Sequence, residues 1–229
     1  MGSLATQPGY HTGRDPANKG LRFPPEVLTP AEVQALLDAC SLLPNTELRN
    51  RAFLTTLYRT GLRCSEAAAL DPKDVDFFNT SIRVLHGKGD RSRTVGIDPA
   101  ALDIIRQWMT ERDRRGFTTT EPLFCTRNGK SMPSSYVRTF IKQLGARAGI
   151  AKRVHAHGLR HTHAYELMME GIPVSIIQRQ LGHSSLATTD TYLSHIAPQQ
   201  VIDAIAGREW LTRTYAMPLP ANSVFSTIN

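Results

Sequence analysis

Apolar residues recur along most of this chain at the spacing of a helix, and along one short stretch at the spacing of a strand. Val33, Leu36, Leu37 and Cys40 share a helical face. The run Thr29-Pro30-Ala31-Glu32 ahead of them is a helix start: threonine caps, proline takes the first turn, and glutamate reaches back to the cap. Leu48, Phe53, Leu54 and Leu57 predict a second helix over 46–60, ended by Gly61, which can adopt the positive φ of a helix stop. Arg63 then emerges at a helix terminus, beside a short helix through Glu66 and Leu70. Between 81 and 97 the period drops to two: Ile82 and Val84 alternate with polar neighbours, His86-Gly87-Lys88-Gly89-Asp90 turns, and Thr94-Val95-Gly96-Ile97 returns. Helical spacing resumes over 99–114, 134–148 and 161–169, and shorter helices are predicted over 174–181, 185–193 and 198–206. Leu167, Ile172, Val174, Ile176, Ile177 and Leu181 are assigned to the core, with Gly171 and Pro173 shaping a turn between helices. The fold class is mainly α with a small antiparallel β-sheet or hairpin.

The ends of the chain lack this periodicity. Pro8, Gly9, Gly13, Pro16 and Gly20 predict a flexible arm or linker over 1–22, followed by one main domain over 23–206 and a tail over 207–229. There is no internal repeat.

Composition narrows the partner. With 41% hydrophobic residues and a mean hydropathy of −0.27, and with no apolar run of membrane-spanning length, the chain reads as soluble and not as a membrane protein. A formal charge of +7 and a pI near 9.6 point to a polyanion, with nucleic acid as the default. Cys40, Cys64 and Cys125 are odd in number and form no CxxC, so neither a disulfide framework nor a zinc ribbon is supported, and a reducing cytoplasm fits. Met1-Gly2-Ser3-Leu4-Ala5-Thr6 matches the crude myristoylation pattern, but no polybasic stretch or second anchoring cysteine accompanies it, and the match is read as accidental.

Candidate chemistry gathers in Gly61-Leu62-Arg63, His157-Gly158-Leu159-Arg160-His161-Thr162, Leu181-Gly182-His183 and Thr188-Thr189-Asp190-Thr191-Tyr192. Tyr192 is the candidate nucleophile, but a phenol with an ordinary pKa of about 10 needs help to attack. Arg63 and Arg160 can supply it, because guanidinium offers paired donors to phosphate oxygens and stabilises a five-coordinate phosphorus. His157 lies one helical turn before Arg160, and His183 follows a glycine at another helix start. Either can donate to a phosphate oxygen or carry the tyrosine proton, or else serve as a capping or core histidine. Lys88, between two glycines, can bring an ammonium to a departing 5′ oxygen, or simply face solvent. Arg91 and Arg93 are candidates for phosphate contacts or for blunting a sheet edge. Glu66 can hold the Arg63 guanidinium in place or form an ordinary helix-surface pair. A metal site among His155, His157, His161 and His163 lacks the cysteine or carboxylate that would complete a familiar spacing, and no cofactor is expected.

These boxes, with Gly87-Lys88-Gly89 in its turn, resemble in kind and order the catalytic domain of the tyrosine recombinases, or phage integrase family, over roughly 28–206. The resemblance implies a site-specific DNA recombinase, an integrase of a phage or mobile element, in which Tyr192 attacks the scissile phosphate to give a 3′-phosphotyrosyl link. Arg63, Arg160, His157 and His183 would bind the phosphate, and Lys88 would be the general acid. It also implies double-stranded DNA held by a homo-tetramer on two sites, with a DNA-bending accessory protein as a possible partner, in the cytoplasm of a prokaryote. A chromosome-dimer resolvase, a topoisomerase-like nicking and rejoining enzyme and a non-cutting DNA-binding module stay open. Family members generally carry a helical DNA-clamping domain ahead of the catalytic one, and the short arm before Phe23 is too brief to form it. Val201, Ile202, Ile205, Trp210 and Leu211 could dock on a neighbouring protomer, as family tails do, or pack on their own domain.

Overall fold

The computed structural model describes residues 26–42, 46–85 and 92–182. The arm over 1–22, the helices expected over 185–193 and 198–206, and the tail over 207–229 lie outside the described residues, as do Lys88, Arg91, His183 and Tyr192.

Helix α1 (Pro30–Asp38) begins with the capping box: Glu32 N–H donates to Thr29 Oγ1 at 3.2 Å, and Thr29 N–H donates to Glu32 Oε2 at 2.7 Å. Helix α2 (Glu47–Thr60) is the centre of the core, with Ala52, Phe53, Leu54 and Leu57 buried as it packs against later helices. It stops at Gly61, whose φ is +64°. Glycine is needed there twice over, since a Cβ would also lie 2.7 Å from both His163 Cδ2 and Leu181 Cδ2. A short α3 (Cys64–Ala68) follows.

The sheet has three antiparallel strands, β1 (Val75–Asp76), β2 (Ser81–Val84) and β3 (Arg93–Gly96), in that spatial order. Ile82 pairs with both Val75 and Val95, and all three side chains enter the core. The expected hairpin is β2–β3. Strand β1 went unread because two residues are too few to show alternation. It joins β2 by a turn in which Asp76 Oδ1 accepts from the backbone N–H groups of Phe78 and Asn79.

Helix α4 (Pro99–Arg114) is capped by Asp98, which accepts from Ala101 N–H at 3.0 Å, and lies along α2. Near its end the buried Arg112 donates to the carbonyls of Thr118, Glu121 and Pro122, satisfying a loop that would otherwise bury unpaired oxygens. After α5 (Ser134–Arg147), helix α6 (Ala156–Met169) starts earlier than its apolar spacing suggests, because His155 Nδ1 caps it by accepting from Gly158 N–H at 2.6 Å. Helix α7 (Val174–Leu181) ends at Gly182, φ +66°.

The α7 expectation needs one correction. Ile177 and Leu181 are buried with Ala164, but Val174 is 37% and Ile176 52% exposed. Neighbouring helical residues point about 100° apart, and on this short helix the buried side is that of Ile177 and Leu181, one turn apart, which leaves Ile176 turned outward. Among the described residues, no helix is long and apolar enough to cross a membrane.

Candidate active site

Arg160 lies on α6 and is 2% exposed. One tip of its guanidinium donates to the Gly61 carbonyl and the other to the Leu181 carbonyl at 2.7 Å. The stop of α2 and the stop of α7, distant in the chain, are thereby fastened to one side chain. Both helices end in left-handed glycines, which turn the last carbonyls out of their helices.

Arg63, at the N-cap of α3, donates from its other face of the site. Its Nη2 reaches the Gly182 carbonyl at 3.4 Å and its Nη1 reaches Glu66 Oε1 at 2.7 Å. Arg63 and Arg160 therefore hold consecutive carbonyl oxygens, those of Gly182 and Leu181, immediately before His183 in the sequence. Glu66 is 4% exposed and also accepts two bonds from Arg93, at 3.0 and 2.8 Å, and one from the Arg63 backbone N–H at 2.9 Å. Burial pushes its carboxyl up, but the hydrogen bonds from Arg93 and Arg63 outweigh this and hold it at about 2. Two guanidinium groups, those of Arg63 and Arg93, thus flank one carboxylate, and with Arg160 the described part of the site carries more positive than negative charge and is suited to a phosphate. Beside Arg63, burial pushes the Cys64 thiol up, so it offers no thiolate to compete as nucleophile.

His157 stands one turn before Arg160 on the same helix. Burial, then the charges of Arg160, His155 and Arg63, lower its pKa and keep the imidazole neutral, able to accept or donate a proton. Its ring meets that of His161 edge to face, centroids 4.4 Å apart. His161 is lowered to about 3, chiefly by burial and then by His157. His163, buried against Gly61 and Leu181, is also lowered to about 3 by burial and then by Arg59 and Arg160. Behind these rings Tyr58 donates to Glu166 at 2.5 Å, and Arg59 bridges Asp98 at 2.7 Å and Glu166 at 3.3 Å, tying α2 to α4 and α6.

The structure thus brings together Arg63, Glu66, His157 and Arg160. Arg93 joins them by a route the sequence did not offer: its guanidinium is taken up by Glu66, where phosphate contact or edge protection had been expected. Lys88, Arg91, His183 and Tyr192 lie outside the described residues. One member went unread, and another was named only among the histidines weighed as a metal site. Gln180 bonds the end of α2 and the edge of β3, and His163 packs on Gly61. Both depend on long-range contacts that leave no local pattern.

The chain matches the model of the phage integrase family over residues 26–198. It is 35% identical to the tyrosine recombinase XerD of Bifidobacterium longum over 197 residues, covering 82% of this chain and 63% of the relative. It is 36% identical to the tyrosine recombinase XerC of Corynebacterium efficiens over 199 residues, covering 86% and 62%. The chain therefore spans about three fifths of the length of these curated relatives. The solved XerA recombinase superposes with a TM-score of 0.72 at 28% identity, over 88% of this chain and 72% of that one. The XerH site-specific recombinase, bound to its palindromic difH substrate, gives 0.67 at 27%, over 80% and 53%.

Proposed function

This chain belongs to the phage integrase family, and from that premise we propose that it is a site-specific DNA recombinase that cuts and rejoins double-stranded DNA through a 3′-phosphotyrosyl intermediate. The observation that carries the reading is the convergence of Arg63 and Arg160 on the consecutive carbonyls of Gly182 and Leu181. It sets two guanidinium groups around one short turn, which leads directly into His183 and, nine residues further, Tyr192.

In the reaction the Tyr192 oxygen forms a bond to phosphorus as the bond to the 5′ oxygen breaks. The phenolic proton passes to a neutral histidine, His157 or His183, and Lys88 protonates the departing 5′ oxygen. Arg63 and Arg160 bind the non-bridging oxygens and offset the charge that grows at phosphorus. A 5′ hydroxyl from a partner strand reverses the step. Phosphodiester energy is kept in the protein adduct, so rejoining requires no ATP. The functional unit is a homo-tetramer on two DNA sites in the bacterial cytoplasm, assisted where needed by a DNA-bending protein, and its task is integration or excision of a phage or mobile element. The solved XerH, bound to its palindromic difH substrate, supports DNA as the partner. Resolution of chromosome dimers is a second reading, favoured by the XerD and XerC names of the curated relatives.

The test is denaturant-resistant, protease-sensitive capture of nicked fragments of the source genome by wild type and by Tyr192→Phe. Wild type alone should form adducts, while both proteins bind DNA equally. Adducts with Tyr192→Phe would place the nucleophile elsewhere, and none with either protein, binding intact, would favour a non-cutting module. Captured element ends support integration; one recurrent chromosomal site supports dimer resolution.

A further inference from the structure

The donors around Glu66 are unequal. Its Oε1 accepts from Arg63 Nη1 at 2.7 Å and from Arg93 Nη1 at 3.0 Å, and its Oε2 accepts from Arg93 Nη2 at 2.8 Å and from the Arg63 backbone N–H at 2.9 Å. Arg93 therefore meets the carboxylate as a fork, through both tips of its guanidinium, whereas the Arg63 guanidinium gives it one tip. Against the burial that opposes the charge, the hydrogen bonds of the Arg93 side chain also do more than those of the Arg63 side chain to keep Glu66 ionised.

The two arginines differ in what else they can reach. The Arg93 side chain is 15% exposed and lies against the Gly182 turn, where a Cβ would stand 2.6 Å from its Nε, so that glycine admits it. The Arg63 side chain is 30% exposed, and its Nη2 meets the Gly182 carbonyl at 3.4 Å, the long end of hydrogen-bonding range. A phosphate can take up that tip, while both tips of Arg93 are already engaged.

A buried carboxylate flanked by two guanidinium groups needs one of them as its counter-ion. We infer that Arg93 is that counter-ion and a positioning residue acting through Glu66: by neutralising the carboxylate it leaves the charge of Arg63 for a phosphate, and it makes no contact with DNA itself. Without Arg93, Glu66 draws Arg63 into a closed ion pair that has no net charge to offer. The inference rests on the reading of Arg63 as a phosphate-binding residue.

The test is the salt dependence of DNA affinity, measured by anisotropy on the full chain as wild type, Arg93→Met, Arg93→Met combined with Glu66→Gln, and Arg63→Ala. Each phosphate contact adds about 0.9 to the slope of log affinity against log salt. Arg93→Met should lose that increment, as Arg63→Ala does. The double variant, with no carboxylate left to claim Arg63, should recover the wild-type slope. A slope lowered in both the single and the double variant would mean that Arg93 binds phosphate itself, and an unchanged slope in Arg93→Met would leave it a purely structural role; either overturns the inference. Arg93→Gln, which leaves Glu66 a neutral donor, carries the same expectation if Arg93→Met folds poorly. Phosphotyrosyl formation at saturating DNA, at a temperature where all variants are folded, is the second readout. It should slow on the order of tenfold to a hundredfold in Arg93→Met and recover most of that loss in the double variant; no recovery overturns the inference. If wild type forms no adduct, the slopes still decide, since they require binding alone. If Arg63→Ala leaves the slope unchanged, the phosphate reading of Arg63 falls and the inference with it.

Discussion

Glu66 shows what one side chain does in this site. Its carboxylate is buried between Arg63 and Arg93, and the two cations hold it ionised far below the usual range, at about 2. A carboxyl with a lowered folded pKa contributes stability that is present above its unfolded value, near 4.5, and is lost as pH falls toward 2. Glu66→Gln keeps the volume and removes the charge, so it should cost about 2 kcal/mol at neutral pH. Urea titrations from pH 7 to 3 should show the wild type descending toward a variant that changes less; parallel curves would mean that the carboxylate is not held ionised by the fold. The Arg63–Glu66 pairing was legible because three residues separate them on a helix start. The Arg93 partnership was not, since it crosses from strand to helix and is fixed by sheet register.

Among the elements, α6 is the one most exposed to acid. His157, His161 and His163 lie on it and His155 caps it, and all four have pKa values lowered by burial first. A histidine lowered on folding makes the unfolded chain the better proton acceptor, so stability falls as pH drops below about 6.5 and continues to fall toward about 3 for His161 and His163. His163→Phe keeps a ring against Gly61 and Leu181 and takes up no proton. It should change stability by less than about 1.5 kcal/mol at pH 7.5 and gain about 2 kcal/mol relative to wild type as the pH falls from about 7.5 to about 5. Denaturant midpoints at the two pH values check this, and an unchanged acid slope would mean that the ring accepts its proton within the fold. The bounds of α4 and α7 were readable from Asp98-Pro99 and from Pro173 with Gly182, whose backbone chemistry starts and stops helices wherever they occur. The start of α6 was not, because an imidazole nitrogen is an uncommon cap, and β1 was too short to carry a period.

At the scale of the molecule, the proposed function, a formal charge of +7 and a site in which Arg63, Arg93 and Arg160 outnumber the single carboxylate of Glu66 together predict a strongly salt-dependent grip on DNA. With six to ten phosphate contacts, the logarithm of affinity should fall against the logarithm of salt with a slope of about −5 to −9. Tyr192→Phe should share that slope, since it removes chemistry and no charge; anisotropy titrations between 50 and 200 mM salt measure both, and a flat response would exclude backbone phosphates as the main contact. The sequence carried the order of the boxes, hence the architecture, but not how they meet. That meeting has a consequence of its own. Arg160 grips main-chain oxygens contributed by two turns that are far apart in the chain, so the candidate site comes into being only after both turns have folded onto α6. On the proposed function, a nascent or half-unfolded chain would carry every residue needed to break DNA and none of their arrangement, so that tertiary structure itself would protect the genome.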